Sequence, residues 1–245
     1  MDKKRQEIQD KVTAAGRGPF TGWWAKLLEL SPDTLLHVHE MLELAEQDGP
    51  LSVRLRHLVW TVADSVVTHL YPRGAGVHAR IAIEEGATLP QVIQAFEIAT
   101  VVSVRGVRLG LPIILEAASQ AGVPVHTQRV DPRLRERVIQ RYGSWAQWME
   151  LVASVSPDAL MALIELAPDP LDSEGLDLRS RELLYFAGYC CPAVNDLDGM
   201  RHHARAALEA GATPQELIQV LRLADAIGVH SLAEGVIVTA DQLGS

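Results

Sequence analysis

The sequence predicts an all-α protein made of two tandem copies of one helical module, and three observations carry the prediction. The segment HARIAIEEGAT, from His78 to Thr88, recurs as HARAALEAGAT from His203 to Thr213, 125 residues later. The same offset superposes Ser31-Pro32-Asp33 on Ser156-Pro157-Asp158, Arg54 and Arg56 on Arg179 and Arg181, and Ile93-Gln94 on Ile218-Gln219, with no insertion between the anchors. No sustained period-2 alternation argues for strands, whereas apolar residues recur at helical spacing.

The repeat divides the chain into a lead-in helix (1–19), a first module (20–121), a connector (122–143) containing Pro124 and Asp131-Pro132, and a second module (144–245). Within each module, Ser31 and Ser156 stand where an N-cap precedes a proline at the first helical position. Thr88 with Gln91, and Thr213 with Glu216, have capping-box spacing. Gly86 and Gly211 read as C-terminal glycines, so each Gly-Ala-Thr is a tight corner between two helices.

Composition narrows the function. A net charge of −9 with no basic block disfavours a nucleic-acid partner. The apolar stretches read as broken by charge before the ~18 to 20 residues a membrane helix needs, and the N-terminus lacks the apolar run of a signal peptide. A cytoplasmic protein with no membrane partner is expected. The only cysteines, Cys190 and Cys191, are adjacent and form no disulfide framework; they read as small buried hydrophobes. No Cys/His spacing indicates zinc, and neither a metal nor another cofactor is expected.

Candidate chemistry comes from two helical wheels. On one, Met200, His203, Ala204, Ala207 and Leu208 share an arc while His202 points away; Ala75, His78, Ala79, Ala82 and Ile83 repeat it. Each module thus has an inward histidine among small residues. On the preceding helix, Leu178, Glu182, Tyr185, Phe186 and Tyr189 form a stripe, matched by Val53, His57, Trp60, Thr61 and Asp64. A carboxylate among aromatics needs a cationic partner or a raised pKa, and His203 is the candidate partner of Glu182. His69, His126 and His230 read as unpartnered structural histidines.

Arg181-Glu182-Leu183-Leu184, His203-Ala204-Arg205-Ala206-Ala207-Leu208 and Gly211-Ala212-Thr213-Pro214-Gln215-Glu216 together resemble the core of the carboxymuconolactone decarboxylase family, related to the alkylhydroperoxidase D-like proteins. The resemblance covers about 70 residues per module and is looser in the first. It implies an all-helical trimer or hexamer and, for the decarboxylases, cofactor-free action on a carboxylated lactone. The peroxidase branch carries a CxxC before the family histidine; Asp196 and Gly199, or Tyr71 and Gly74, stand there instead, so the thiol–disulfide cycle has no reactants.

The expected function is therefore a cofactor-independent decarboxylase, lyase or isomerase acting on a small carboxylated or enolisable substrate. His203 moves the proton and Glu182 sets its tautomer. His78 and His57 complete a site across the modules, Arg73, in the loop leading into the His78 helix, holds the substrate anion, and Trp60, Tyr185 and Tyr189 line it. The alternatives are a non-catalytic scaffold and, more remotely, a diverged thiol peroxidase using Cys190 or Cys191. Two fused modules per chain predict a homotrimer.

Overall fold

The computed structural model describes residues 3–16 and 20–243, and no strand occurs among them. The helices are α1 (Lys3–Ala14), α2 (Trp23–Leu30), α3 (Pro32–Gln47), α4 (Val53–Ser65), α5 (Pro72–Glu84), α6 (Leu89–Ser103), α7 (Gly106–Gln120), α8 (Pro132–Tyr142), α9 (Gln147–Val155), α10 (Pro157–Glu165), α11 (Leu178–Cys190), α12 (Leu197–Glu209), α13 (Pro214–Ala226) and α14 (His230–Leu243). The starts of α3, α4, α5 and α6 reappear 125 residues later as those of α10, α11, α12 and α13. The repeat in sequence is thus a repeat of elements.

Local chemistry explains the boundaries. Thr88 and Gln91 form a reciprocal capping box at the start of α6, as Thr213 and Glu216 do for α13. Gly86 and Gly211 adopt φ of +91° and +92°, the left-handed conformation that ends a helix most cheaply at glycine. Ser156 caps Ala159 N, whereas the Ser31 hydroxyl turns to Thr34 and leaves its own helix uncapped.

The core lies where α4 and α6 meet α11 and α13. Val59, Val62, Ala63, Ile98, Val102, Leu183, Leu184, Ala187, Val220 and Leu223 are all fully buried there. Gly188 makes the close approach possible, because a Cβ on it would lie 3.0 Å from Val102 Cγ2 and 3.2 Å from Val62 Cγ1. The halves are also tied by reciprocal polar contacts. Gln94 Oε1 accepts from Leu176 N at 2.6 Å, and its counterpart Gln219 accepts from Leu51 N at 2.8 Å. Each buried glutamine satisfies a backbone donor in the other half.

The last helices of each half are exchanged. α7 packs on α9 of the second half, and α14 packs on α2 of the first. This exchange brings distant residues to each site.

Three expectations need correction. Leu208 and Ile83, read as inward, are exposed, because the last turns of α12 and α5 run past the core. Arg73 lies in the first turn of α5 and not in the preceding loop. The helical stretches Leu89–Gln120 and Pro214–Gln242 are long and apolar enough to cross a membrane by composition, since their charges are too sparse to break an 18-residue window. The first is interrupted at Val104 and Arg105, between α6 and α7.

Candidate active site

The helix pair that carries the inward histidine occurs twice, as α11–α12 and as α4–α5, and the two surroundings differ in filling and in charge.

In the second half, His203 Nδ1 and Glu182 Oε2 are 2.7 Å apart, and both residues are buried. The imidazole is sandwiched between Tyr185 and Tyr189, with centroids at 4.6 and 5.2 Å and planes within 15°. Tyr142, from α8 in the segment read as a connector, approaches His203 Nε2 at 3.4 Å. Arg181 reaches the other oxygen of Glu182 at 3.4 Å. Burial pushes the Glu182 carboxyl up, but the His203 hydrogen bond and the charges of His203 and Arg181 outweigh it and hold the carboxyl below its usual range. Burial drives Tyr142 and Tyr185 well above the ordinary phenol range, so both keep their protons. The predicted partnership of Glu182 and His203 is present. Aromatic rings occupy the space beside it, and the nearby cavity bounded by Tyr142 and Tyr189, of about 10 Å³, is lined by neither His203 nor Glu182. Asp196 caps α12 and pairs with Arg108 of α7 at 2.9 Å.

In the first half the same scaffold holds a cavity of about 150 Å³. Its wall includes Trp23, Trp24, Trp60, Asp64, Arg73 and His78. The Trp60 ring does not fill the space, because its indole N–H is drawn to Leu223 O of the second half at 2.9 Å. His57 Nδ1 and His78 Nδ1 are 2.9 Å apart, so one proton bridges them. Burial, followed by the neighbouring His57 and His230, pushes His78 well below the usual histidine range. Its imidazole is therefore neutral at neutral pH, with one ring nitrogen able to accept a proton. Arg73 is exposed and lines the same cavity.

Sequence reasoning placed Asp64 on the inward stripe but gave it no role. The side chain is wholly buried, and neither carboxylate oxygen has a hydrogen-bond partner. Burial pushes its pKa up to about 8. His69 and His230, read as unpartnered, in fact lie 2.8 Å apart between Nε2 and Nδ1. His69 Nε2 is 3.7 Å and His230 Nδ1 3.6 Å from Asp64 Oδ1. Burial lowers both histidines, His230 to about 4. His230 comes from α14, the exchanged helix, a contact that no local pattern signals. Leu70, next to His69, has φ of +38°, a left-handed conformation that costs a leucine more than its counterpart Asn195.

Cys190 and Cys191 are both buried, and burial pushes the Cys190 thiol up to about 12, with Cys191 also raised. Neither supplies a thiolate near neutral pH.

Comparison with known proteins agrees with this architecture. Residues 157–232 match the model of the Carboxymuconolactone decarboxylase family. The crystal structure of a protein described as a candidate gamma-carboxymuconolactone decarboxylase subunit, from Burkholderia xenovorans LB400, superposes with a TM-score of 0.91 at 23% identity, covering 98% of this chain and 97% of that one. At that identity the likeness establishes the fold. No curated protein sequence matches the chain.

Proposed function

We propose, from the match of residues 157–232 to the carboxymuconolactone decarboxylase family model and from the repeat of its helices in the first half, that the chain is a decarboxylase, lyase or isomerase of small carboxylated or enolisable substrates, working in the first-half cavity. The observation that carries the reading is the cavity of about 150 Å³ with His78 and Arg73 in its wall. A neutral histidine next to space is placed to move a proton; a histidine between two tyrosine rings is placed to pack.

Arg73 binds the carboxylate of the substrate, and the tryptophans hold its apolar body. For decarboxylation, the bond between carbon and carboxylate breaks, its electron pair moves into the adjacent carbonyl as an enolate, and CO₂ leaves. One proton, taken up from solvent on the His57–His78 pair, then goes to carbon. For isomerisation, His78 takes a proton from the carbon beside the carbonyl and returns it at another position. A placed acid or base contributes about 10² to 10⁴-fold to such a step.

In this reading the second half is architectural. Its Glu182–His203 pair favours a scaffold role there, because both members are satisfied by protein groups. The exposure of the apolar residues of α7, with Val107, Leu109, Ile113 and Ile114 all 49% or more exposed and no residue of the helix buried, supports assembly of three chains into a homotrimer. Light scattering that returns a monomer contradicts that assembly.

The reading is tested by following CO₂ release from a panel of β-keto carboxylates, with thermal unfolding of the same mixtures. A ligand selective for the native state raises Tm. Turnover of one panel member, with a raised Tm that Arg73→Ala abolishes, is expected. A panel that neither reacts nor shifts Tm sinks the reading.

A further inference from the structure

We propose that Asp64, His69 and His230 form a binding site for one divalent transition-metal ion. The three donor atoms, Asp64 Oδ1, His69 Nε2 and His230 Nδ1, come from the end of α4, the following turn and the start of α14. Their separations are 2.8, 3.6 and 3.7 Å. A circle through three points so spaced has a radius of about 2.0 Å, the length of a zinc–nitrogen or zinc–oxygen bond (~2.0 to 2.1 Å). An ion close to the plane of these atoms therefore lies at bonding distance from all three.

The charge pattern points the same way. Asp64 is completely buried, and both its oxygens lack a hydrogen-bond donor. Such a carboxylate needs a proton or a cation. The facing nitrogens of His69 and His230 share one N–H···N hydrogen bond in the metal-free protein and, with both lone pairs free, offer two donors to a cation. Gly74 is part of the construction, because a Cβ there would collide with Asp64 Oδ2 and the Tyr71 ring.

The second half is an internal control. The positions equivalent to Asp64, His69 and His230 are Tyr189, Val194 and Arg105. Val194 and Arg105 offer no donor to a metal, burial holds the proton on the Tyr189 phenol, and Arg105 brings its own positive charge, 3.7 Å from Asp196. Two nitrogens and one oxygen favour zinc, cobalt, nickel or ferrous iron over magnesium or calcium, which take mainly oxygen donors. Three protein ligands also leave a position open. His69 and His230 border an outer cleft of about 540 Å³, which provides the entry path.

The inference does not depend on the proposed reaction, because metal binding is read without substrate. The experiment is titration of the full-length, chelator-treated protein with Co²⁺, followed by visible absorption and calorimetry. One Co²⁺ per chain, with the ligand-field bands of a four- or five-coordinate ion, is expected. Asp64→Asn and His230→Ala should each weaken binding by about 100-fold or more, since even partners outside the ligand shell are worth 10 to 100-fold. Asp64→Asn keeps the shape of the side chain, and circular dichroism confirms that each variant is folded; His69→Gln provides a third, size-conserving variant. The exposed His202→Ala should leave binding unchanged. Absence of Co²⁺ binding overturns the site and leaves a hydrogen-bonded histidine pair. So does binding that survives all three ligand substitutions, or that is lost with His202.

Discussion

The α4–α5 and α11–α12 hairpins place a histidine at the same point, yet one faces a cavity and the other faces two tyrosine rings. The difference lies in three side chains of the preceding helix. Glu182, Tyr185 and Tyr189 give the second half a charge partner and two rings that fill the space beside His203. Their counterparts His57, Trp60 and Asp64 give the first half a second imidazole, a ring tethered across to Leu223 and a short carboxylate with no hydrogen-bond partner. One scaffold has thus produced a histidine paired with a carboxylate, beside a Tyr185 hydroxyl that lacks a hydrogen-bond partner, and a buried carboxylate that lacks one on both oxygens. Unsatisfied buried groups are where binding energy remains available, because a ligand that supplies the missing partner removes a standing penalty.

Breaking the Glu182–His203 pair should have the largest effect on stability. Glu182→Ala removes the partner of both His203 and Arg181 and leaves a buried guanidinium, so it should destabilise the protein by about 3–5 kcal/mol in urea unfolding. His57→Ala at the equivalent position strips no carboxylate from a buried arginine, and a loss as large as that of Glu182→Ala would erase the distinction. Gly74→Ala comes next. Its Cβ overpacks Asp64 and Tyr71, at about 1–3 kcal/mol, and Co²⁺ titration of the folded variant should report a displaced Asp64.

The pH dependence sharpens the same contrast. The Glu182 pKa is lowered in the folded protein, so its pair contributes stability that is complete above the ordinary glutamate pKa of the unfolded chain and is lost as pH falls through the folded pKa. Glu182→Gln should flatten the acid limb of a stability-versus-pH curve; an unchanged limb would assign acid unfolding to other carboxylates. The smallest effect concerns the cysteines. With both thiols buried and shifted upward, Cys190→Ala with Cys191→Ala should leave turnover unaltered, and a large loss would revive a thiol mechanism.

Much of the fold was legible in the sequence because helix caps and the repeat are local. Thr88, Thr213, Gly86 and Gly211 announce their corners, and the 125-residue offset carries from residue identities to helix ends. The wheel also found Glu182 against His203, since adjacent antiparallel helices bring their inward faces together. What escaped depends on the exchange of α7 and α14. His230 meets His69 across 161 positions and Arg108 meets Asp196 across 88, contacts set by how the halves dock. Tyr142 was hidden for a related reason, because the connector forms α8 and points its last residue at His203. The wheel overreached at Ile83 and Leu208, where periodicity continues after the core has ended.

The most direct test of the central claim, that the first-half cavity is the working site, compares His78→Ala with His203→Ala for turnover of the same β-keto carboxylate. Both variants are matched for fold by circular dichroism. His78→Ala should lose about 10² to 10⁴-fold in kcat, while His203→Ala keeps kcat and unfolds at lower urea. A His203→Ala protein that is folded but inactive, beside an active His78→Ala, would contradict the account and return the chemistry to the second half.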